Sequence, residues 1–81
     1  MNGPVFPFLS SVSDGSVVTL VLYQGMVQEF HARTSLSSYL GDNHVYFYIY
    51  LDQESVRSEF YHDLKQVISS RKNAIVYEYP K

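Results

Sequence analysis

The stretch that decides the fold is residues 44–51, His44-Val45-Tyr46-Phe47-Tyr48-Ile49-Tyr50-Leu51. Side chains of a β-strand point alternately to the two faces of a sheet. One side of this strand is wholly apolar and predicts a core face: Val45, Phe47, Ile49 and Leu51. The other side, led by His44, carries tyrosines, whose rings are apolar but whose hydroxyls need water or a partner: Tyr46, Tyr48 and Tyr50. The stretch therefore predicts a sheet with one covered face and one face that contacts something else.

Two further strands precede this one. In residues 16–22 both sets of alternating side chains are apolar, which indicates a central strand covered on both sides. Residues 26–33 alternate instead, with Glu29, His31 and Arg33 on one side. A charged outer side is typical of an edge strand, because charge discourages unwanted pairing with other chains. We therefore expect residues 26–33 at the edge of the sheet.

The loop between these two strands can be argued from the pairing that it imposes. A two-residue loop would pair Val18 with His31 and bring charge toward the core. A three-residue loop at 23–25 would pair Val18 with Phe30 and put Gly25 at the left-handed position that such hairpins require. The sequence pattern therefore favours the three-residue loop.

Two helices are predicted after the hairpin. The first is short, capped at Thr34-Ser35 and ended by Gly41, with three apolar residues on one face: Leu36, Tyr39 and Leu40. The second is long and begins after Asp52, a favourable N-cap residue. Its apolar residues recur at spacings of three and four, which predicts one continuous stripe: Val56, Phe60, Leu64, Val67 and Ile68.

Together these elements predict an α+β fold with a four-stranded mixed sheet in ββ-α-β-α-β order. The long amphipathic helix packs on one face, and the short helix lies in the connection between the second and third strands. The third strand and the last one, residues 74–79, run parallel because a helix connects them. Residues 1–15, interrupted by Pro4 and Pro7, predict an extended N-terminal arm, and residues 16–81 predict a single α+β domain.

The uncovered face of the sheet is the predicted site. Its candidate interface residues are aromatic and come from the third strand, the last strand and the arm: Tyr46, Tyr48, Tyr50, Tyr77, Tyr79, Phe6 and Phe8. Tyr77 and Tyr79 belong to this face only if Ala74 and Val76 point inward, although Ile75 is the better core residue. Three occupants of the face remain open: the arm, a second copy of the chain and a different protein. A homodimer needs only one self-complementary patch.

Composition restricts the chemistry. The chain has 81 residues, a formal net charge of −2 and no cysteine, so it contains no disulfide and no thiolate ligand or nucleophile. The chain has three histidines, His31, His44 and His62, and none is spaced from another as metal ligands are. No catalytic or phosphate-binding motif occurs in the sequence. We therefore expect no metal, no cofactor and no catalysis. The roles of these histidines stay open.

The function predicted from these patterns is a small, soluble, non-catalytic protein–protein interaction module, such as an adaptor, an assembly subunit or an inhibitor. The alternative is single-stranded nucleic-acid or aromatic-ligand binding, with bases stacked on Tyr46, Tyr48 and Tyr50. Nucleic acid is disfavoured because its binders usually carry a basic excess, which this chain lacks. No apolar run reaches the ~18 residues that cross a bilayer, so no membrane partner is expected. The lack of cysteine points to a cytoplasmic or other reducing compartment.

Overall fold

The computed structural model of the protein describes residues 6–34 and 43–80. Their elements, in chain order, are a 3-10 helix at Pro7–Ser11, β1 at Ser16–Tyr23, β2 at Met26–Thr34, β3 at Val45–Leu51, α1 at Gln53–Val56, α2 at Glu59–Ser69 and β4 at Ala74–Tyr79. All four predicted strands are present. The short helix predicted over residues 34–41 lies outside the described residues beyond Thr34, as does the arm over residues 1–5.

The four strands form one mixed sheet in the order β2-β1-β3-β4. β1 and β2 are antiparallel, whereas β1, β3 and β4 all run parallel. The predicted α+β class, the central position of β1, the edge position of β2 and the parallel pairing of β3 with β4 are confirmed. β3 is the second central strand. Its alternating side chains therefore lie near the middle of the sheet, on both of its faces.

The hairpin between β1 and β2 corrects one prediction. Its loop has two residues, Gln24 and Gly25, and Tyr23 pairs with Met26. The register shifts after two pairs and skips Gln28, which is a β-bulge. The bulge adds one residue to β2, so Phe30 still faces the core, although its partner is Leu20 and not the predicted Val18. The three-residue loop was wrong because uninterrupted pairing was assumed.

The turn itself has the backbone that a two-residue loop requires. Gln24 and Gly25 both have positive φ, 52° and 81°, the signature of a type I′ turn. The backbone N–H of Gln24 donates to Asp52 Oδ2 at 3.0 Å, and that of Gly25 donates to Ser55 Oγ at 2.9 Å. The hairpin is therefore fixed to the start of α1 by contacts that span about thirty residues of sequence.

The predicted long helix is divided. α1 ends at Val56, and after Arg57 the chain begins a new helix whose N-cap is Ser58, which accepts from the Tyr61 N–H at 3.1 Å. The interruption changes the phase of the apolar stripe. Val56 and Val67, predicted to be in the stripe, are exposed at 45% and 40%, whereas Tyr61, which the predicted stripe does not include, is buried.

The N-terminal segment also differs from the extended arm that was predicted. Pro7 begins a 3-10 helix, which tolerates proline at its first position because the N–H there needs no internal partner. Phe6 and Leu9 are buried in the same core as the helices. The Phe6 ring packs edge-on against Phe60 at 5.3 Å between centroids, and Phe8 lies 4.9 Å from Phe30. The segment thus completes the covered face of the sheet.

The core lies between the sheet and these helices. The apolar side chains that are fully or almost fully buried come from one face of the two inner strands, β1 and β3, and from α2: Val18, Leu20, Leu22, Val45, Phe47, Ile49, Leu64 and Ile68. Ala74 and Val76 of β4 pack against this cluster from the edge. Over residues 6–34 and 43–80, no helix has the length and apolarity that crossing a bilayer requires.

Candidate interaction face

The strand registers assemble one surface on the side of the sheet opposite the helices. Residues that pair directly across neighbouring strands point to the same side. We call this surface the open face: Val17, Thr19, Val21 and Tyr23 of β1; Met26, Glu29, His31 and Arg33 of β2; Tyr46, Tyr48 and Tyr50 of β3; and Ile75, Tyr77 and Tyr79 of β4.

The open face is organised in three rows that run across the strands. In the order β2, β1, β3, β4, the lower, middle and upper rows are Arg33–Val17–Tyr46–Ile75, His31–Thr19–Tyr48–Tyr77 and Glu29–Val21–Tyr50–Tyr79. Each row therefore begins at a polar or charged residue on the β2 edge and ends at an apolar or aromatic residue on the β4 edge. Charge lies on one side of the face only.

The tyrosines of β3 and β4 form two stacked pairs. The rings of Tyr48 and Tyr77 lie 5.0 Å apart at an interplanar angle of 19°, and those of Tyr50 and Tyr79 lie 5.3 Å apart at 21°. Nearly parallel rings this close cannot lie side by side in one plane, so they overlap in the offset arrangement that aromatic pairs prefer. Each ring consequently shares one π-face with its neighbour.

The larger apolar side chains of this surface are accessible. Of the six exposed large hydrophobic residues in the described part of the chain, four belong to the open face: Tyr23, Met26, Tyr50 and Tyr77. Their exposure ranges from 37% for Tyr77 to 68% for Met26. Beside them, Val21 and Tyr79 line a shallow depression at the end of β3. α2 and the 3-10 helix pack on the other side of the sheet.

The structure brings together five of the seven predicted interface residues. All five tyrosines lie on the open face, since Ala74 and Val76 point to the core and Ile75 points away from it. Phe6 and Phe8 do not join them, because both lie on the helix-covered side. Sequence reasoning missed Tyr23 because it was assigned to the loop, and missed Met26 because the bulge at Gln28 moves it to the side of Glu29.

The other polar clusters have structural partners. Glu78, on the covered side of β4, accepts a hydrogen bond from the Tyr61 hydroxyl and pairs with Lys65 Nζ at 3.0 Å. Arg71 reaches Asp14 Oδ1 at 3.3 Å and the Val12 carbonyl at 3.3 Å. Within residues 6–34 and 43–80, no three histidine or acidic side chains lie close enough together to hold a metal ion.

One carboxyl group of the described region has a shifted pKa. Asp52 accepts hydrogen bonds from Ser55 at 3.0 Å and from the Gln24 N–H, and these bonds favour its ionised form. The pKa of Asp52 is held below its ordinary value, with the side-chain hydroxyl of Ser55 as the largest cause and the Gln24 N–H as the next. The group acts as an anchor at the corner where β3, the hairpin turn and α1 meet, next to Tyr23 on the open face.

Comparison with protein-family models, with curated proteins and with solved structures gives no match for this chain.

Proposed function

We propose that this chain is a non-catalytic protein–protein interaction module that binds its partner through the open face. The observation that carries the proposal is the pair of tyrosine stacks, Tyr48 with Tyr77 and Tyr50 with Tyr79, on an accessible sheet face. Tyrosine is enriched in the cores of protein interfaces and charged residues are depleted there. The centre of the open face has this composition, with its charges confined to β2.

The orientation of the rings supports a protein partner over a stack of nucleic-acid bases. A platform for bases needs aromatic π-faces directed outward. In each tyrosine pair, one π-face of each ring is already covered by the other ring. Ring edges and hydroxyl groups suit the edge-to-face contacts and hydrogen bonds that a protein surface supplies. The net charge of −2 also provides no electrostatic attraction for phosphates.

The test compares a variant of the open face with a control on the covered side. We expect Tyr48→Thr/Tyr50→Thr to abolish association with a partner, because it removes two rings while keeping residues that favour strands. The matched control is Val67→Thr, whose side chain is exposed on α2, the helix that packs on the other side of the sheet. Association is measured by cross-linking followed by mass spectrometry, with circular dichroism to verify that each variant is folded.

Two results would contradict the proposal. The first is a partner that cross-links equally to the wild type and to the double tyrosine variant. The second is quenching of tyrosine fluorescence by short single-stranded oligonucleotides at low salt that weakens steeply as salt is added. The second result would favour base stacking in place of protein binding.

A further inference from the structure

We infer that the partner of the open face is a second copy of this chain, packed face to face about a two-fold axis that crosses the strands along the middle row. This inference rests on the proposed function, because it uses the same surface and names its occupant. It follows from the order of charges along β2 and from the extent of the face.

The charges on β2 are arranged as a two-fold axis requires. Glu29 begins the upper row and Arg33 begins the lower row, with His31 between them. A two-fold axis along the middle row exchanges the upper row of one copy with the lower row of the other. Glu29 of each copy then faces Arg33 of the other copy, so the charged edge of the face is complementary to itself. Charge complementarity of this kind fixes the register of an interface.

The same axis gives the aromatic residues suitable neighbours. It places β3 and β4 of one copy above β3 and β4 of the other, so the stacked tyrosines meet aromatic and aliphatic side chains. Tyr50 and Tyr79 of the upper row meet Tyr46 and Ile75 of the lower row. Aligned sheets pack ~10 Å apart with strands rotated by about 30°, and their side chains interdigitate. Long side chains such as Glu29 and Arg33 can span the resulting offset.

A two-fold axis parallel to the strands is less favourable. It would place β2 of one copy above β4 of the other, because it reverses the strand order. Glu29 would then lie against Tyr79 and Arg33 against Ile75, each without a partner of opposite charge. Removing a charge from water without such a partner is costly. The positions of the charges thus select the axis that crosses the strands.

The size of the face predicts a weak dimer. Four strands spaced ~4.8 Å apart, each presenting a stretch of six or seven residues at ~3.3 Å, make a footprint of roughly 20 by 20 Å. Two such faces together bury roughly 800 Å², which is below the ~1,200–2,000 Å² of standard interfaces and in the range of weak, transient ones. We therefore expect a dissociation constant in the micromolar range and a mass that depends on concentration.

The first experiment is sedimentation velocity on the full chain over a concentration series from about 1 μM to 1 mM. We expect the average mass to rise toward that of a dimer. Tyr48→Thr/Tyr50→Thr should weaken the dimer at least tenfold, since it removes the central rings from both copies. Val67→Thr, with its exposed side chain on α2 on the covered side, should leave the dissociation constant unchanged.

Charge reversal tests the axis itself. Glu29→Arg and Arg33→Glu should each weaken self-association about tenfold at low salt, because each turns two attractive pairs into repulsive ones. An equimolar mixture of these two variants should recover the association, since every arginine then faces a glutamate of the other chain. Both side chains are exposed on an edge strand, so the variants retain the fold.

The outcomes separate this inference from the proposed function. A monomer at every concentration would overturn the second copy as partner, while cross-linking of a different protein to the open face would still support the proposed function. A dimer whose dissociation constant is unchanged by the tyrosine and charge variants would form through another surface, and it would overturn the second copy as the partner of the open face. A dimer that depends on the tyrosines but shows no recovery in the mixture would overturn the axis along the middle row.

Discussion

The two sides of β3 both carry large apolar surface but have opposite surroundings. Val45, Phe47 and Ile49 have no solvent-exposed surface, whereas Tyr48 is half-buried and Tyr50 is 43% exposed. The difference arises because α2 and the 3-10 helix contribute apolar side chains to one side only. Adjacent positions of one strand therefore serve different purposes: the covered side provides stability, and the open face provides a surface available for binding.

The largest expected effect tests the covered side of this comparison. Phe47→Ala should lower the free energy of unfolding by about 3–5 kcal/mol, because it removes a fully buried ring and leaves a cavity among residues that cannot close it. Urea unfolding followed by circular dichroism measures the change. A loss below about 1 kcal/mol, within the range of many surface substitutions, would show that the helices do not cover this side as described.

A smaller effect compares one tyrosine hydroxyl on each side. Tyr61→Phe should destabilise the protein by about 1 kcal/mol, because the buried ring loses its hydrogen bond to Glu78. The matched control is Tyr77→Phe on the open face, where the ring is exposed and a change within about 0.5 kcal/mol is expected. Thermal unfolding of both variants beside the wild type gives the two values. If both variants lost the same unfolding free energy, a tyrosine hydroxyl would contribute equally to stability on the two sides of the sheet, contrary to this prediction.

The smallest effect concerns Asp52, at the corner where the hairpin turn carrying Tyr23 meets α1. Its pKa in the folded protein is lowered, so its ionised form stabilises the fold above about pH 4, and this contribution is lost as the pH falls through the lowered pKa. We compare the melting temperatures of the wild type and Asp52→Asn between pH 7 and pH 2.5. The wild type should melt higher at pH 7, and the gap should narrow as the pH falls below about 4.

The variant Asp52→Asn is itself the control for the other carboxyl groups, because asparagine is an equally good N-cap and all remaining acids titrate in both proteins. A gap that stays constant down to pH 2.5 would mean that the charge of Asp52 contributes nothing to stability.

Much of the fold could be predicted from alternation along the strands. The continuous apolarity of residues 16–22 indicated a central strand, and the charges at Glu29, His31 and Arg33 indicated an edge. Alternation is informative because a strand has only two sides, and a shift of one residue would exchange them. The same rule placed Tyr46, Tyr48 and Tyr50 together on one side of the sheet, where the structure has them.

The errors came where a local pattern was compatible with more than one geometry. The two-residue turn at Gln24 and Gly25 was rejected because the bulge at Gln28 leaves no clear mark in the sequence. The division of the helix was missed although Ser58 is a good N-cap residue, because the spacing from Val56 to Phe60 also fits one continuous helix. The turn is fixed by contacts distant in sequence, from Asp52 and Ser55, whereas α2 begins anew because Ser58 caps it through the Tyr61 N–H.

By itself, the sequence determined the class of the fold and the two-sided character of β3. The reason is that the side to which a strand residue points depends only on its position along that strand. Only the tertiary structure decided that Phe6 and Phe8 belong to the core and that Tyr77 and Tyr79 stack on Tyr48 and Tyr50. These outcomes depend on register between strands and on where the N-terminal segment packs. Such contacts join residues far apart in the chain, and no local pattern specifies them.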